Sequence, residues 1–156
     1  MPVEEGKKAP ALTLPDTDGN KVKLTDFAGK NVVVFFYPKD DTPGCTKEAC
    51  GFRDLYKQIE KQNAVILGVS PDGPESHQKF IDKFKLPFTL LCDPNKKVME
   101  RYGAWGEKMM YGKKTVGVIR STVIVGPDGK VKKHWKRVAK AEAHPAKVLE
   151  ALQALN

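Results

Sequence analysis

Residues 35–45 read Phe35-Phe36-Tyr37-Pro38-Lys39-Asp40-Asp41-Thr42-Pro43-Gly44-Cys45, and Cys50 follows five residues later. The apolar run at 31–37 predicts a buried strand, and the Pro-, Asp- and Gly-rich segment after it predicts a turn. Thr42 suits the N-cap of a helix that begins at Pro43, and we expect its hydroxyl oxygen to accept from a first-turn N–H. Cys45 is then the third helical residue, where free N–H groups and the helix dipole favour a thiolate.

The composition is that of an ordinary globular protein. The chain has 156 residues, of which 40% are hydrophobic and 29% charged, and we expect one domain spanning 1–156. No apolar run is long enough to cross a bilayer, and we see no secretion signal. Three cysteines do not make a disulfide scaffold. We therefore expect a cytoplasmic protein without a membrane partner, whose cysteine pair is catalytic, redox-active or metal-binding.

The basic charge could indicate a nucleic-acid partner. The formal net charge is +8, but the excess is mostly lysine and is spread along the chain. The densest patch lies at 130–140, around Trp135. We interpret it as a solvated strand whose lysines protect a sheet edge, and we expect no nucleic-acid partner.

The rest of the chain alternates strand and helix patterns. Buried strands are predicted at 64–69, 88–92 and 121–125, a hairpin partner strand at 131–138, and helices at 43–62, 75–84, after Asp93 and at 145–155. This order predicts an α/β sandwich with a mixed sheet. The carboxyl end of the 31–37 strand is where such sheets place their functional sites.

The two cysteines of the first helix cannot form a disulfide while the helix is intact. Cys45 lies on the apolar stripe of the predicted helix, and Cys50 lies off it. Residues five positions apart are about 140° apart around the axis and about 7.5 Å apart along it. A Cys45–Cys50 disulfide therefore requires the first turns to unwind, which suits a transient catalytic bond rather than a structural one. Gly44 and Gly51 bracket the segment and lower its helix stability.

A reactive thiolate at Cys45 permits a defined chemistry. It can attack a reactive oxygen to give a sulfenic acid, which then condenses with a second thiol to a disulfide. Ionisation of the Cys45 thiol alone increases the rate too little to explain fast reduction of a peroxide. Hydrogen-bond donors must also surround the two peroxide oxygens.

The motif Pro38-x-x-x-Thr42-x-x-Cys45 matches the active-site motif of peroxiredoxins. The longer segment 36–50 resembles their Q-type subgroup, also called bacterioferritin comigratory proteins. The resemblance covers essentially the whole chain, including the segments 103–107, 111–114 and 117–122.

This resemblance implies a thioredoxin-like fold, with a central mixed β-sheet flanked by helices, and reduction of hydrogen peroxide and organic hydroperoxides without a cofactor. It makes Cys45 the peroxidatic cysteine and Cys50 the resolving cysteine of an intramolecular disulfide, which thioredoxin or a similar dithiol reductant returns to the dithiol. Thr42 would hydrogen-bond the peroxide, and Arg120 would hold the thiolate and polarise the substrate. Pro38 would shield the sulfenic acid from water. We expect a monomer or a weak dimer.

Simpler interpretations of these residues remain open. Thr42 could be only a helix cap, Arg120 a surface charge at a strand start, and Pro38 a turn former. Cys92 is the other candidate for the resolving thiol, but it ends an apolar strand and is predicted to be a buried structural thiol. Glu48 could accept a hydrogen bond near the site, or it could serve only to interact with the helix dipole.

Other functional classes fit the pattern less well. A zinc or iron–sulfur site needs about four Cys or His ligands, and we interpret the scattered His77, His134 and His144 as surface residues and expect no metal. A thioredoxin-type oxidoreductase would have Cys-x-x-Cys. A redox sensor or a holdase-like binding protein is the alternative from another class. Turnover discriminates, because an enzyme consumes many equivalents of peroxide whereas a sensor is oxidised once per chain.

Overall fold

The structure, a computed structural model, describes residues 3–155, with only the backbone of Met110. Nine strands are present in this part of the chain: β1 (Thr13–Pro15), β2 (Lys21–Lys23), β3 (Asn31–Phe36), β4 (Ala64–Ser70), β5 (Thr89–Cys92), β6 (Trp105–Met110), β7 (Lys113–Val118), β8 (Ser121–Val125) and β9 (Val131–Trp135). The α-helices are α1 (Pro43–Asp54), α2 (Tyr56–Glu60), α3 (Pro74–Phe84), α4 (Lys97–Arg101) and α5 (His144–Leu155).

A five-stranded mixed sheet forms the centre, in the order β5-β4-β3-β8-β9. β3 runs parallel to β4 and antiparallel to β8, so that Val34 lies between Leu67 and Val123. β9 is the edge strand beside β8, which agrees with the predicted edge role of the lysine-rich 130–140 patch. The predicted α/β sandwich with a mixed sheet is confirmed.

β3 is the centre of the core because both of its faces are covered. Val34 belongs to an apolar cluster on one face, which includes residues of the N-terminal segment and of α4. Phe35 belongs to the cluster on the other face, which includes Phe52 of α1, Phe80 of α3 and Val148 of α5. Every residue of β3 is buried, as its unbroken apolar run predicts. The carboxyl end of β3 thus delivers the chain directly into α1.

The predicted helix over 43–62 is wrong in one respect, because it is two helices. Leu55 leaves helical geometry, with φ −100° and ψ 5°, and separates α1 from α2. The break lets Leu55 and Tyr56, which an unbroken helix would turn about 100° apart, both pack against the core cluster beneath α1. The β6–β7 hairpin was also not predicted, because its polar and glycine-containing strands give no apolar alternation.

Two of the three histidines are buried, which contradicts their interpretation as surface residues. His77 has no exposed surface, and His144 is 3% exposed. His144 Nε2 lies 2.8 Å from Thr122 Oγ1, and the ring meets Trp135 edge to face. Burial lowers the pKa of His144 to about 4, with smaller contributions from Lys147 and Arg120. Side chains on the sheet therefore supply the polar partner and the aromatic contact that make this burial tolerable.

None of the described helices combines the length and the apolar character that a membrane span requires.

Gly68 is expected to be intolerant of a side chain. A Cβ at this position of β4 would lie 2.6 Å from Leu90 Cδ2 and 2.8 Å from Phe35 Cζ, both fully buried. We expect Gly68→Ala to reduce the free energy of unfolding by roughly 1–3 kcal/mol, measured by urea denaturation. Gly106→Ala is the control, because its nearest heavy atom, Ile119 Cδ1, is 3.8 Å away. Equal losses in the two variants would contradict the packing argument.

Candidate active site

The loop between β3 and α1 sets the position of Thr42. Thr42 is the N-cap of α1 in extended conformation, as predicted, but its side chain makes no capping bond to the first turn. Its hydroxyl instead donates to the Lys39 carbonyl over 2.8 Å. The predicted capping hydrogen bond is therefore wrong. The left-handed conformation of Asp41, with φ 54°, folds the loop back and brings that carbonyl within reach.

Cys45 and Arg120 meet at the carboxyl end of β3. Cys45 is the third residue of α1 and is 1% exposed. Arg120 immediately precedes β8, whose first residue pairs with the last residue of β3. The Arg120 guanidinium donates from Nη2 to Cys45 Sγ over 3.2 Å and from Nη1 to Glu48 Oε1 over 2.8 Å. The interpretation of Arg120 as a surface charge is thereby excluded, and Glu48 does accept a hydrogen bond beside the sulfur.

Burial strengthens the interaction between Glu48 and Arg120. Burial raises the pKa of Glu48 to about 7, although Arg120 opposes the change. For Arg120, burial lowers the pKa, but Glu48 and Cys45 outweigh it, and the pKa lies above its ordinary value. Glu48 Oε2 is buried without a hydrogen-bond partner among the described residues, which is tolerable for a carboxyl that is partly neutral. The guanidinium is thus permanently charged, whereas its carboxyl partner is not.

Gly44 leaves room for this arrangement. A Cβ at position 44 would lie 3.1 Å from Arg120 Nη2, closer than an ordinary contact. Beside the guanidinium opens a cleft of about 660 Å³, lined by Gly44, Lys47, Arg120 and residues 139–143. A small molecule can therefore approach the edge of the site from solvent.

The remaining thiols and Pro38 occupy the positions that the sequence indicates. Cys50 is half-buried on α1, so both cysteines of the pair lie in one helix and are free. Because the helix is intact, Cys45 and Cys50 are separated by about 7.5 Å along its axis. Cys92 is buried at the end of β5, as predicted, and burial raises its pKa, with Asp40 adding to the effect. Pro38 is half-buried where the chain leaves β3.

A buried polar network beneath the loop was missed by the sequence analysis. Asp40 accepts from the Tyr37 hydroxyl at 2.5 Å and from the Ser76 hydroxyl at 2.7 Å. His77 Nδ1 lies 2.7 Å from Asp40 Oδ2, and His77 Nε2 lies 2.9 Å from the Leu91 carbonyl. Burial alone would raise the pKa of Asp40, but the hydrogen bonds from His77 and Tyr37 bring it below its ordinary value. The network fastens the active-site loop to α3 and β5.

The same network contains the group of potential metal ligands found in the described part of the chain. Oxygen or nitrogen atoms of Asp40, Asp72 and His77 lie within 4.8 Å of one another. These atoms bond within the protein: Asp72 Oδ2 accepts from the Asp40 backbone N–H at 2.7 Å, and His77 is held as described above. The arrangement serves to hold the loop. His77 lies on the same helix face as Phe80 and Phe84, and this spacing is the sequence signal that could have indicated the burial of His77.

We expect Glu48→Gln to gain stability relative to the unsubstituted protein as the pH rises from 5 to 8. The native pKa of about 7 lies above the ordinary value of 4.5, so the native state holds an extra proton in this range. Stability from this group is complete below pH 4.5 and is lost as the pH rises through about 7, a change of about 3 kcal/mol. Glutamine mimics the neutral carboxyl and removes the dependence. Urea unfolding of both proteins at several pH values measures the free energy of unfolding. If it changes with pH in the same way in the two proteins, the expected role of Glu48 is contradicted.

Comparison with known proteins places the chain in a family. The AhpC/TSA family profile matches residues 5–134. Peroxiredoxin Bcp of Bacillus subtilis is 46% identical over 153 residues, which is 98% of this chain and 97% of that protein. Peroxiredoxin Bcp of Escherichia coli is 46% identical over 130 residues, or 83% of each chain.

Solved structures agree with the sequence comparison. Peroxiredoxin Q of Xanthomonas campestris superposes with a TM-score of 0.88 at 38% identity, covering 96% of this chain and 97% of that one. A second structure, the bacterioferritin comigratory protein of Xanthomonas campestris, gives a TM-score of 0.89 at 37% identity, covering 97% and 99%. The chain therefore belongs to the AhpC/TSA family and, within it, to the Q-type peroxiredoxins, the thioredoxin-fold thiol peroxidases also called bacterioferritin comigratory proteins.

Proposed function

We propose that the protein reduces hydrogen peroxide and organic hydroperoxides through Cys45, resolves the product with Cys50, and is recycled by a thioredoxin-type dithiol. The observation that carries the proposal is the Arg120 guanidinium, 3.2 Å from a buried sulfur in the first turn of a helix. A permanent cation and a helix N-terminus both stabilise a thiolate there. We further propose that residues 1–156 act as one domain, in the cytoplasm, as a monomer or weak dimer.

The first step is attack of the Cys45 thiolate on the terminal peroxide oxygen. The O–O bond breaks, Cys45 becomes a sulfenic acid, and the electron pair leaves on the second oxygen, which takes a proton to give water or an alcohol. Arg120 donates hydrogen bonds to the charge as it moves from sulfur to oxygen. Thr42 has already donated its hydrogen to Lys39, so its oxygen is free to accept from the peroxide hydroxyl. Pro38 shields the sulfenic acid from water.

The second step joins the two cysteines of α1. The Cys50 thiolate attacks the Cys45 sulfur, and the hydroxyl leaves as water once protonated. The first turns of α1 must unwind for this bond to form. Gly51 marks the limit of the unwinding segment, because a Cβ there would lie 2.8 Å from Pro145 Cγ of α5. The helix after Gly51 is thus packed tightly against a neighbour.

The third step returns the disulfide to the dithiol. A dithiol reductant attacks one sulfur, forms a mixed disulfide, and leaves as its own disulfide, transferring two electrons and two protons. The Xanthomonas campestris bacterioferritin comigratory protein has an alkyl peroxide reduction activity, which supports organic hydroperoxides as substrates here. Its similarity over nearly the full length of this chain makes the comparison direct.

Replacement of each cysteine separates the steps. We expect Cys45→Ser to abolish peroxide consumption, a loss of at least about 1000-fold, because Cys45 is the thiol that Arg120 contacts in the described part of the chain. Cys50→Ser should be oxidised once per chain and then fail to turn over with thioredoxin. Cys92→Ser is the matched control and should keep turnover, which is followed by NADPH consumption through thioredoxin reductase. Sustained turnover by Cys45→Ser would refute the proposal, and a single oxidation by the unsubstituted protein would favour the redox sensor.

Oxidation is also expected to open the start of α1. In the disulfide form, amides between Thr46 and Gly51 should exchange at least about tenfold faster than in the dithiol form, because their helical hydrogen bonds are broken. Amides of α5 serve as the internal reference and should exchange equally in both forms. Hydrogen exchange with mass spectrometry measures this, and identical protection of α1 in the two redox states would contradict the proposed pairing.

A further inference from the structure

The exposed apolar side chains cluster on one hairpin. Among the described residues, the large apolar side chains that are exposed are Met109 at 64%, Tyr111 at 98%, Val116 at 60% and Leu155 at 44%. Met109, Tyr111 and Val116 belong to the β6–β7 hairpin, and we name them the hairpin patch. Exposed apolar residues scattered singly are ordinary, but a cluster of them marks an interaction surface.

The geometry of the hairpin makes the patch continuous with the core. Trp105 pairs with Val118. Val118 belongs to the apolar cluster that contains Val34, and Trp105 packs against that cluster. Two residues further along β7, Val116 lies on the same face, opposite Glu107 of β6, and Met109 of β6 follows on that face, opposite Lys114. The face that is buried at the root of the hairpin therefore extends into solvent.

Tyr111 occupies a position that local structure alone would not favour. It shares the turn with Gly112, and the two residues have φ 53° and 77°. Turns of this kind favour Asn, Asp or Gly at both central positions. An aromatic residue here is strained, yet its ring is held fully in solvent at the tip. A ring placed this way is suited to contact another molecule.

The charges beside the patch select an acidic partner. Lys113 and Lys114 are exposed on β7 next to the turn, and Lys114 shares the face of Met109 and Val116. Glu107, the acidic residue of the two strands, lies on that face nearer the root, and the Lys108 ammonium donates to the Val118 carbonyl over 2.9 Å. The whole chain carries a formal charge of +8. Charges of one sign disfavour pairing of two hairpins from two copies of this chain and favour a partner of opposite sign.

The hairpin begins at the active-site edge. β7 ends at Val118, two residues before Arg120, which contacts Cys45. Six strand residues extend about 20 Å from that root. A globular protein of about 100 residues has a radius of gyration of about 13 Å, so a partner that reaches the cysteines of α1 is large enough to touch the hairpin as well.

We propose that the hairpin patch is the docking surface for the acidic dithiol protein that reduces the Cys45–Cys50 disulfide. This inference rests on the proposed function. The patch contributes binding and orientation. The redox step remains the exchange described above, in which the partner's two thiols become its disulfide and the chain regains two thiols.

Tyr111→Asn is the main test, since asparagine suits the left-handed turn and removes the ring without disturbing the hairpin. With Escherichia coli thioredoxin, thioredoxin reductase and NADPH, we expect the KM for thioredoxin to rise about tenfold or more. The Lys113→Glu/Lys114→Glu double variant should raise it similarly and weaken its dependence on salt. Leu155→Ser is the matched control and should leave the KM unchanged. Turnover supported by dithiothreitol should be the same in all of these proteins.

Each other outcome overturns the inference. A KM for thioredoxin that is unchanged in both hairpin variants removes the docking role. If the KM is unchanged but the variants lose binding to phosphatidylglycerol-containing vesicles, the patch is a membrane contact. If they lose self-association in sedimentation velocity, it is a contact between copies. Absence of dithiothreitol-supported turnover in the unsubstituted protein would refute the proposed function itself.

Discussion

A single guanidinium shared between two buried acids is the interaction on which the site depends. Arg120 donates to both Cys45 and Glu48, and neither acid has appreciable solvent to stabilise its charge. The pairing of β8 with β3 places the arginine, and Gly44 leaves the space it fills. Because Glu48 is close to its own neutral point near pH 7, it competes only weakly for the cation. In the proposed reaction, the guanidinium charge is therefore shared with the sulfur and with the peroxide oxygen beside it.

The loop before α1 is held in place by buried hydrogen bonds, whereas the first turns of α1 are less firmly held. The loop before α1 is fastened by the buried carboxylate of Asp40, which joins Tyr37 of the loop to Ser76 and His77 of α3. A charged group buried in this way is costly to leave unpaired, so the loop has one favoured arrangement. By contrast, the first turns of α1 carry no side-chain cap from the N-cap residue. The proposed cycle requires the helix to open while the loop stays in place.

Sequence reasoning succeeded where one local rule determined the outcome. An unbroken apolar run made β3 central, and Thr42-Pro43 set the start of α1, so Cys45 was placed correctly. Arg120 came from the resemblance, since nothing local to residue 120 indicates its partner. The hydrogen bond of Thr42, the break at Leu55 and the burial of His77 depend on atoms distant in sequence or on loop conformation. The β6–β7 hairpin was missed because its exposed strands lack a buried face along most of their length.

The close approach of Pro145 of α5 to Gly51, which leaves no room for a side chain there, has an energetic consequence for the proposed disulfide. With the later part of α1 held against α5, the free energy needed to melt its opening turns is stored in the oxidised form and released when the helix winds again. About 1.4 kcal/mol of such stored energy raises a two-electron reduction potential by about 30 mV. Rewinding takes about a microsecond or less, far faster than typical enzyme turnover. In the proposed cycle, rewinding of the helix therefore makes the Cys45–Cys50 disulfide easier to reduce without slowing turnover.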